Sequence, residues 1–154
     1  MIKISHSEIS QGQFKSRAAE EAYKAFTLVK NQTDETVWNM SYQKGGEFDL
    51  AKGDPDTVTL QGAHCSGVDY MGNQVTGTAH FRDGKPVSAK YIDFPRPIHY
   101  SENILIPMGI PTSYGLQRDS QKAVYSYSHL GVGQQYTLEN GDLTVKSTYL
   151  GVAL

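Results

Sequence analysis

Five histidines, one cysteine and 16 aspartates and glutamates carry most of the reactive chemistry of this 154-residue chain, and their spacing builds no familiar catalytic site. His6, His64, His80, His99 and His129 never fall on the HExxH pattern that lets one helix face hold zinc. His64-Cys65 stands alone, without a CxxC or HxH companion to bring a third or fourth ligand. No nucleophile signature surrounds Cys65, which reads as a small hydrophobe. There is no GxSxG elbow, no P-loop and no GxGxxG after a strand; Gly131-Val132-Gly133 is a bare GxG that reads as backbone crowding. Asp34-Glu35 and the Asp54/Asp56 pair sit in turn-like stretches, where carboxylates cap and bend the chain. The reading is of a chain that binds rather than catalyses, with no catalytic residue, no metal and no cofactor.

The chemistry that remains is ring and hydroxyl. Ten tyrosines and 15 glycines are many for this length. Tyrosine favours strands and offers an apolar ring with a polar tip, so most of the ten are expected to be structural and a few to meet a ligand. The net charge of −2 lacks the basic excess of a generic nucleic-acid binder. No lysine or arginine run is present to hold anionic lipid by charge alone. A single cysteine excludes an internal disulfide. No apolar run approaches the ~20 residues of a membrane-spanning helix. The opening MIKISHSEISQGQ has no apolar core, so it does not read as a signal peptide. The expectation is a soluble chain, cytoplasmic until released by a non-classical route. Without a leader, the glycosylation-like Asn31-Gln32-Thr33 and Asn39-Met40-Ser41 read as chance.

These residues must be positioned by short elements. Residues 5–26 read as the one helix: Ser5 with Glu8, and Ser10 with Gln13, fit capping boxes. Phe14, Ala18, Ala22 and Phe26 recur every four residues along one face, and Glu20 with Lys24 makes an i,i+4 pair. From there the period becomes two. Strands are expected at 26–30 and 36–42, with a turn at 31–34, and at 47–50 and 57–60. A glycine-rich loop follows at 61–74, then a hairpin of 75–81 and 86–92 about Asp83-Gly84. Residues 102–123 read as irregular, apart from a short strand at 104–106. Two strands close the chain, 124–138 (running through Gly131) and 143–150, joined at Asn140-Gly141, the strongest hairpin signal present. With no internal repeat or linker visible, the expectation is one mainly β domain over 1–154: an antiparallel β-sandwich over 27–154 with a short N-terminal helix over 5–26.

Four stretches, in order, give the chain a resemblance to the actinoporin-like superfamily, which holds the sea-anemone pore-forming cytolysins and the fungal fruit-body lectins. Lys24 to Tyr42 resembles the first strand, asparagine turn and tryptophan-bearing second strand of both, with Glu35-Thr36-Val37-Trp38 closest to the lectins. Val75 to Lys90 resembles their central hairpin. Ile92 to Asn103 is similar to the cytolysin segment that holds a phosphocholine head group, with Pro95 and Tyr100 on matching positions. His129 to Gly133 and Asn140-Gly141 resemble the end of the cytolysin fold.

The resemblance implies a β-sandwich that recognises either a lipid head group or a glycan. On the cytolysin side, a pore-forming toxin would dock through Asp93, Pro95 and Tyr100. Tyr114, Tyr125 and Tyr127 would wall the quaternary ammonium by cation–π attraction, and Ser66 would donate to phosphate. Its membrane-inserting segment would be the face of Phe14, Ala18, Ala22 and Phe26, with assembly into a homo-oligomer on the membrane. Asp93 departs from the serine of that pattern and would repel phosphate or face the ammonium. The exposed tryptophans of the toxins are missing, since Trp38 is the only tryptophan and reads as core. On the lectin side, Asp93, Arg96, His99, Tyr100, Asn73 and Ser66 would hold a sugar.

Overall fold

The computed structural model describes residues 1–39, 41–43, 47–49, 64–68, 74–82, 85–94, 99–101, 104–106 and 112–154. The chain opens with strand β1 (Ile2–Ile4), then helix α1 (His6–Gln11). The expected box at Ser5 forms: the Ser5 hydroxyl accepts from the Glu8 amide, and the Glu8 carboxylate accepts from the Ser5 amide at 2.8 Å. Gly12 then ends α1 in the left-handed region, φ 67°, where glycine avoids the steric cost of a Cβ.

Helix α2 spans Arg17–Asn39, and this overturns the expected division of 5–26 as helix and 26–42 as strand, turn and strand. The second capping box does not form; Ser10 bonds back to the Ser7 carbonyl, and Ser16 instead accepts from the Ala19 amide. Burial explains the length of α2. Ala19, Phe26, Thr33, Thr36 and Val37 are buried, with Ala22, Tyr23 and Val29 half-buried between them. That stripe keeps a helical period over the whole segment, so tertiary packing overrides the β-branched residues that mimic a strand. The Glu20–Lys24 pair forms at 3.6 Å.

Strands follow at β2 (Ser41–Gln43), β3 (Glu47–Asp49), β4 (His64–Val68), β5 (Gln74–Arg82), β6 (Lys85–Phe94), β7 (His99–Ser101), β8 (Ile104–Ile106), β9 (Thr112–Arg118), β10 (Lys122–His129), β11 (Val132–Glu139), β12 (Asp142–Tyr149) and β13 (Val152–Ala153). The hairpin of β5 and β6, the short β8 and the Asn140-Gly141 turn match expectation. Three expectations fail. His64–Val68 is a strand, not loop. Thr112–Arg118 is a strand, not irregular chain. The expected 124–138 strand is two strands folded back at Leu130-Gly131. The expected strand at 57–60 lies outside the described residues.

Among the described residues, eleven strands form one antiparallel sheet, ordered β1-β12-β11-β10-β9-β6-β5-β4-β2-β3 with β13 on β12, while β7 and β8 pair separately. No closed two-sheet sandwich appears among them. The last strands form a meander whose two-residue turns, Leu130-Gly131, Asn140-Gly141 and Leu150-Gly151, recur every ten residues, a regularity hidden by the changing side chains. Strand alternation gives the sheet two unlike faces. One carries Val75, Ala79, Ala89, Tyr91, Leu116, Tyr125, Tyr136, Leu143 and Val145, all buried, with α2 packed over it. The other carries serine, threonine, glutamine and lysine.

Candidate functional site

Under α2, tyrosines from neighbouring strands form a continuous row. Tyr91 on β6, Tyr114 on β9 and Tyr127 on β10 stand directly opposite one another. The Tyr91 and Tyr114 rings stack at 5.0 Å, Tyr127 lies 6.2 Å beyond, and Tyr136 on β11 follows at 6.4 Å. Phe26 of α2 caps the row, 5.6 Å from Tyr136 and edge-on to Tyr125 at 6.0 Å. Such pairs are the packing that aromatic quadrupoles favour, and the Tyr91–Tyr114 stack takes up one face of each of those two rings.

Polar groups fix the helix above this row. Gln32 donates to Asp93 at 2.8 Å and to the Tyr114 hydroxyl at 3.0 Å. The Tyr91 hydroxyl is buried against those of Thr33 and Thr36, which adjoin it without closing a well-aligned bond. Asp34 accepts from the Tyr125 hydroxyl at 2.7 Å and pairs with Lys30 at 2.8 Å. Burial pushes the Tyr91, Tyr125 and Tyr136 phenols well above the ordinary tyrosine value, and at Tyr125 the Asp34 carboxylate adds to the rise.

The candidate residues from the sequence therefore divide. Asp93 and Tyr114 meet at Gln32, beneath the helix. Tyr125 sits apart at Asp34, and Tyr127 is in the aromatic row. Ser66 lies in β4 with Thr76 and Ser41 as its register partners, and Tyr100 lies in β7 opposite Leu105. Pro95, Asn73 and Arg96 lie outside the described residues, and His99 is the first residue of β7. Of the proposed inserting face, Phe14 precedes α2 and packs on Tyr23 at 5.3 Å. Ala18 is exposed, Ala22 half-buried and Phe26 buried in the core.

Sequence reasoning missed the opposite face. A groove of about 870 Å³ runs across β5, β6, β9, β10 and β11 to Thr148 of β12. Thr76, Thr78, Ser113, Ser126, Ser128, Gln135 and Thr148 supply hydroxyl and amide groups to it, and Ile92 and Leu150 supply apolar edges. Lys90 is the one charged residue among its described lining. Gly115 and Gly133 keep it open: a Cβ on Gly115 would stand 2.7 Å from the Ser126 hydroxyl, and one on Gly133 2.7 Å from that of Thr148. The available signal was alternation itself, because most residues flanking Tyr114, Tyr125 and Tyr127 are small, and all of these but Gly115 are hydroxylated: Ser113, Ser126 and Ser128. Such a surface can hydrogen-bond a polar ligand many times with little net charge to repel it.

The groove opens toward the end of the sheet where the Leu130-Gly131 and Leu150-Gly151 turns lie side by side, joined by the Leu150 amide donating to the Gly131 carbonyl at 2.7 Å. Among the described residues, no three of His, Cys, Asp and Glu converge as metal ligands, and no helix is long and apolar enough to cross a membrane. Comparison with protein-family models, with curated proteins and with solved structures finds no match to this chain.

Proposed function

We propose that this chain is a non-enzymatic binding protein whose hydroxyl-lined outer groove takes a neutral or zwitterionic polar head group at a membrane surface. The observation that carries the reading is the composition of the groove. Its described lining offers many neutral donors and acceptors and one amine, Lys90, and it is edged by Ile92 and Leu150. A phosphodiester would be met by Lys90 and the threonine and serine hydroxyls, and among the described residues a quaternary ammonium meets no cation there beyond Lys90. The resemblance to the actinoporin-like superfamily supports the same ligand class and implies the two-sheet sandwich and the membrane-bound homo-oligomer that go with it. Its first stretch, Lys24 to Tyr42, falls largely in α2 rather than in two strands. Pore formation by residues 5–26 would have to draw Phe26 out of the core, and head-group recognition needs no such step.

A second reading, a soluble lectin, is favoured by the same hydroxyls, which match a saccharide as well as a head group. Against it, the tyrosines of the row point to the α2 side of the sheet, so among the described residues they offer the groove no ring face for a sugar to stack on. The test is co-sedimentation of the full chain with phosphatidylcholine vesicles, with and without sphingomyelin, in the presence of free phosphocholine. Vesicle binding that phosphocholine displaces, and that Ser113→Trp abolishes, supports the head-group reading. Binding on a glycan array with none to vesicles replaces it with the lectin.

A further inference from the structure

We infer that the paired leucine-tipped turns, Leu130-Gly131 and Leu150-Gly151, form a shallow bilayer-inserting tip that seats the groove at head-group depth. The argument begins with backbone geometry. In a two-residue hairpin turn with both central residues at positive φ, asparagine or glycine is favoured at the first position and a leucine is out of place. Here Leu130 has φ 56° and Leu150 φ 51°. The chain holds its own control: Asn140 takes the same place in the same kind of turn at φ 53°. That turn lies at the other end of the strands, against His6, whose amide donates to the Asp142 carboxylate. Among the described turns the uncomfortable residue is therefore used only at the end away from His6, and a local cost kept at one place points to a function there.

What the two turns gain is exposed apolar surface. Leu130 and Leu150 are 65% and 71% exposed, and Val132, Tyr149 and Val152 beside them are exposed as well. Their strand pairing, Val132 opposite Tyr149 and Tyr149 opposite Val152, makes one patch of them. Residues 123–138 and 147–154 contain no Asp, Glu, Lys or Arg, so the patch enters an apolar phase without stripping water from a formal charge. Tyr149 adds the ring-and-hydroxyl side chain that settles at a membrane–water boundary.

The occupant is a bilayer rather than a second protein on grounds of extent. The two adjoining turns offer five exposed apolar side chains, Leu130, Val132, Tyr149, Leu150 and Val152, whereas a stable protein contact takes about 20–30 residues a side on a matched surface. A fluid bilayer accepts a projecting tip without a matched partner. This inference rests on the membrane reading of the groove, and the experiment separates the two.

The full chain, Leu130→Asn, Leu150→Asn, the double variant and Leu130→Trp are compared on neutral phosphatidylcholine vesicles. Leu130→Asn and Leu150→Asn should fold with an unchanged or higher denaturation midpoint, because each relieves its turn, while vesicle affinity falls about 10-fold in each and further in the double variant. Leu130→Trp, at a position outside the groove lining, should keep binding, and the new tryptophan should shift its fluorescence to the blue on vesicles. Binding should weaken only modestly with added salt, since the tip uses no charge and the described groove lining brings only Lys90 to a phosphodiester. Binding that phosphocholine competes away but that the asparagine variants leave unchanged overturns the tip and spares the groove. Binding that falls in those variants but ignores phosphocholine overturns the groove and spares the tip. A full chain that binds no vesicle, or that self-associates through these leucines instead, overturns the tip outright.

Discussion

The Tyr125 hydroxyl lies 2.7 Å from the Asp34 carboxylate, and through it the middle of the sheet is tied to the last third of α2. Arg118 donates to the same phenolic oxygen at 2.7 Å, and Lys30 pairs with Asp34 while lying 5.9 Å from the Tyr125 ring centre. Tyr125 is fully buried, so its hydroxyl has no water to fall back on. Tyr125→Phe should destabilise the chain by about 1–2 kcal/mol, the usual scale for losing a bond to a charged acceptor, reduced here because Asp34 and Arg118 reach solvent. Chemical denaturation would read this as a lower midpoint at constant slope. An unchanged midpoint would mean that the helix is held by apolar packing alone.

The buried phenols predict an alkaline limit. Burial raises the pKa of Tyr91, Tyr125 and Tyr136 in the folded chain above the ordinary value of about 10. A group whose folded pKa is raised stabilises the fold fully below its unfolded pKa, and that contribution is lost as pH rises toward the folded value. Stability should therefore hold to about pH 10 and fall steadily above it, with tyrosinate absorbance appearing together with unfolding. Smooth ionisation of all ten tyrosines near their free value, with the sheet intact, would refute the buried row.

How far the sequence foretold this arrangement depends on which signal each residue carries. Asn140-Gly141 was legible because a two-residue turn imposes positive φ that few residue types accept. Leu130-Gly131 was not, because leucine is an unfavourable choice there and its alternating neighbours imitate one continuous strand. In α2, Thr27, Thr33, Thr36 and Val37 have strand-like types, and only the spacing of Ala19, Tyr23, Phe26, Thr33 and Val37 reveals the helix. Asp93 and Tyr114 were singled out as ligand groups, and they do meet, at Gln32. Local pattern gave no way to see that a helix would cover them, which depends on contacts 61 and 82 residues apart in sequence.

At the acid end, two described carboxylates have a lowered pKa, Asp119 in the turn before β10 and Glu8 at the N-terminal segment, and Glu8 is the one that latches that segment. Its carboxylate accepts from the Ser5 and Lys15 amides, and these bonds lower its pKa below the ordinary carboxylate value. A depressed folded pKa gives stability that is present above the unfolded value, about 4.3, and is lost as pH falls through the folded one. The N-terminal segment, residues 1–16, should loosen first on acidification, seen as faster amide hydrogen exchange there than in β10–β12. Glu8→Gln should show the faster exchange already at neutral pH. Equal protection of this segment at pH 7 and pH 3 would remove Glu8 as its latch.

Gly77 offers a test of how tightly the tyrosine row is laid on the sheet. It sits in β5 opposite Tyr91, and a Cβ there would stand 2.6 Å from the Tyr91 Cα and would run into the Lys90 carbonyl. Both obstacles belong to the neighbouring backbone, so no rotamer change can make room. Gly77→Ala must push β5 and β6 apart and unstack Tyr91 from Tyr114, at a cost of about 1–3 kcal/mol typical of overpacking. By contrast, Gly12→Ala meets nothing within 4 Å and carries only the strain of its positive φ, about 1 kcal/mol. Thermal denaturation of the two variants side by side should show Gly77→Ala clearly the weaker, with its near-ultraviolet tyrosine dichroism reduced. Equal losses would mean that β5 and β6 have slack at this point and that the Tyr91 stack is not fixed by the approach of the two strands.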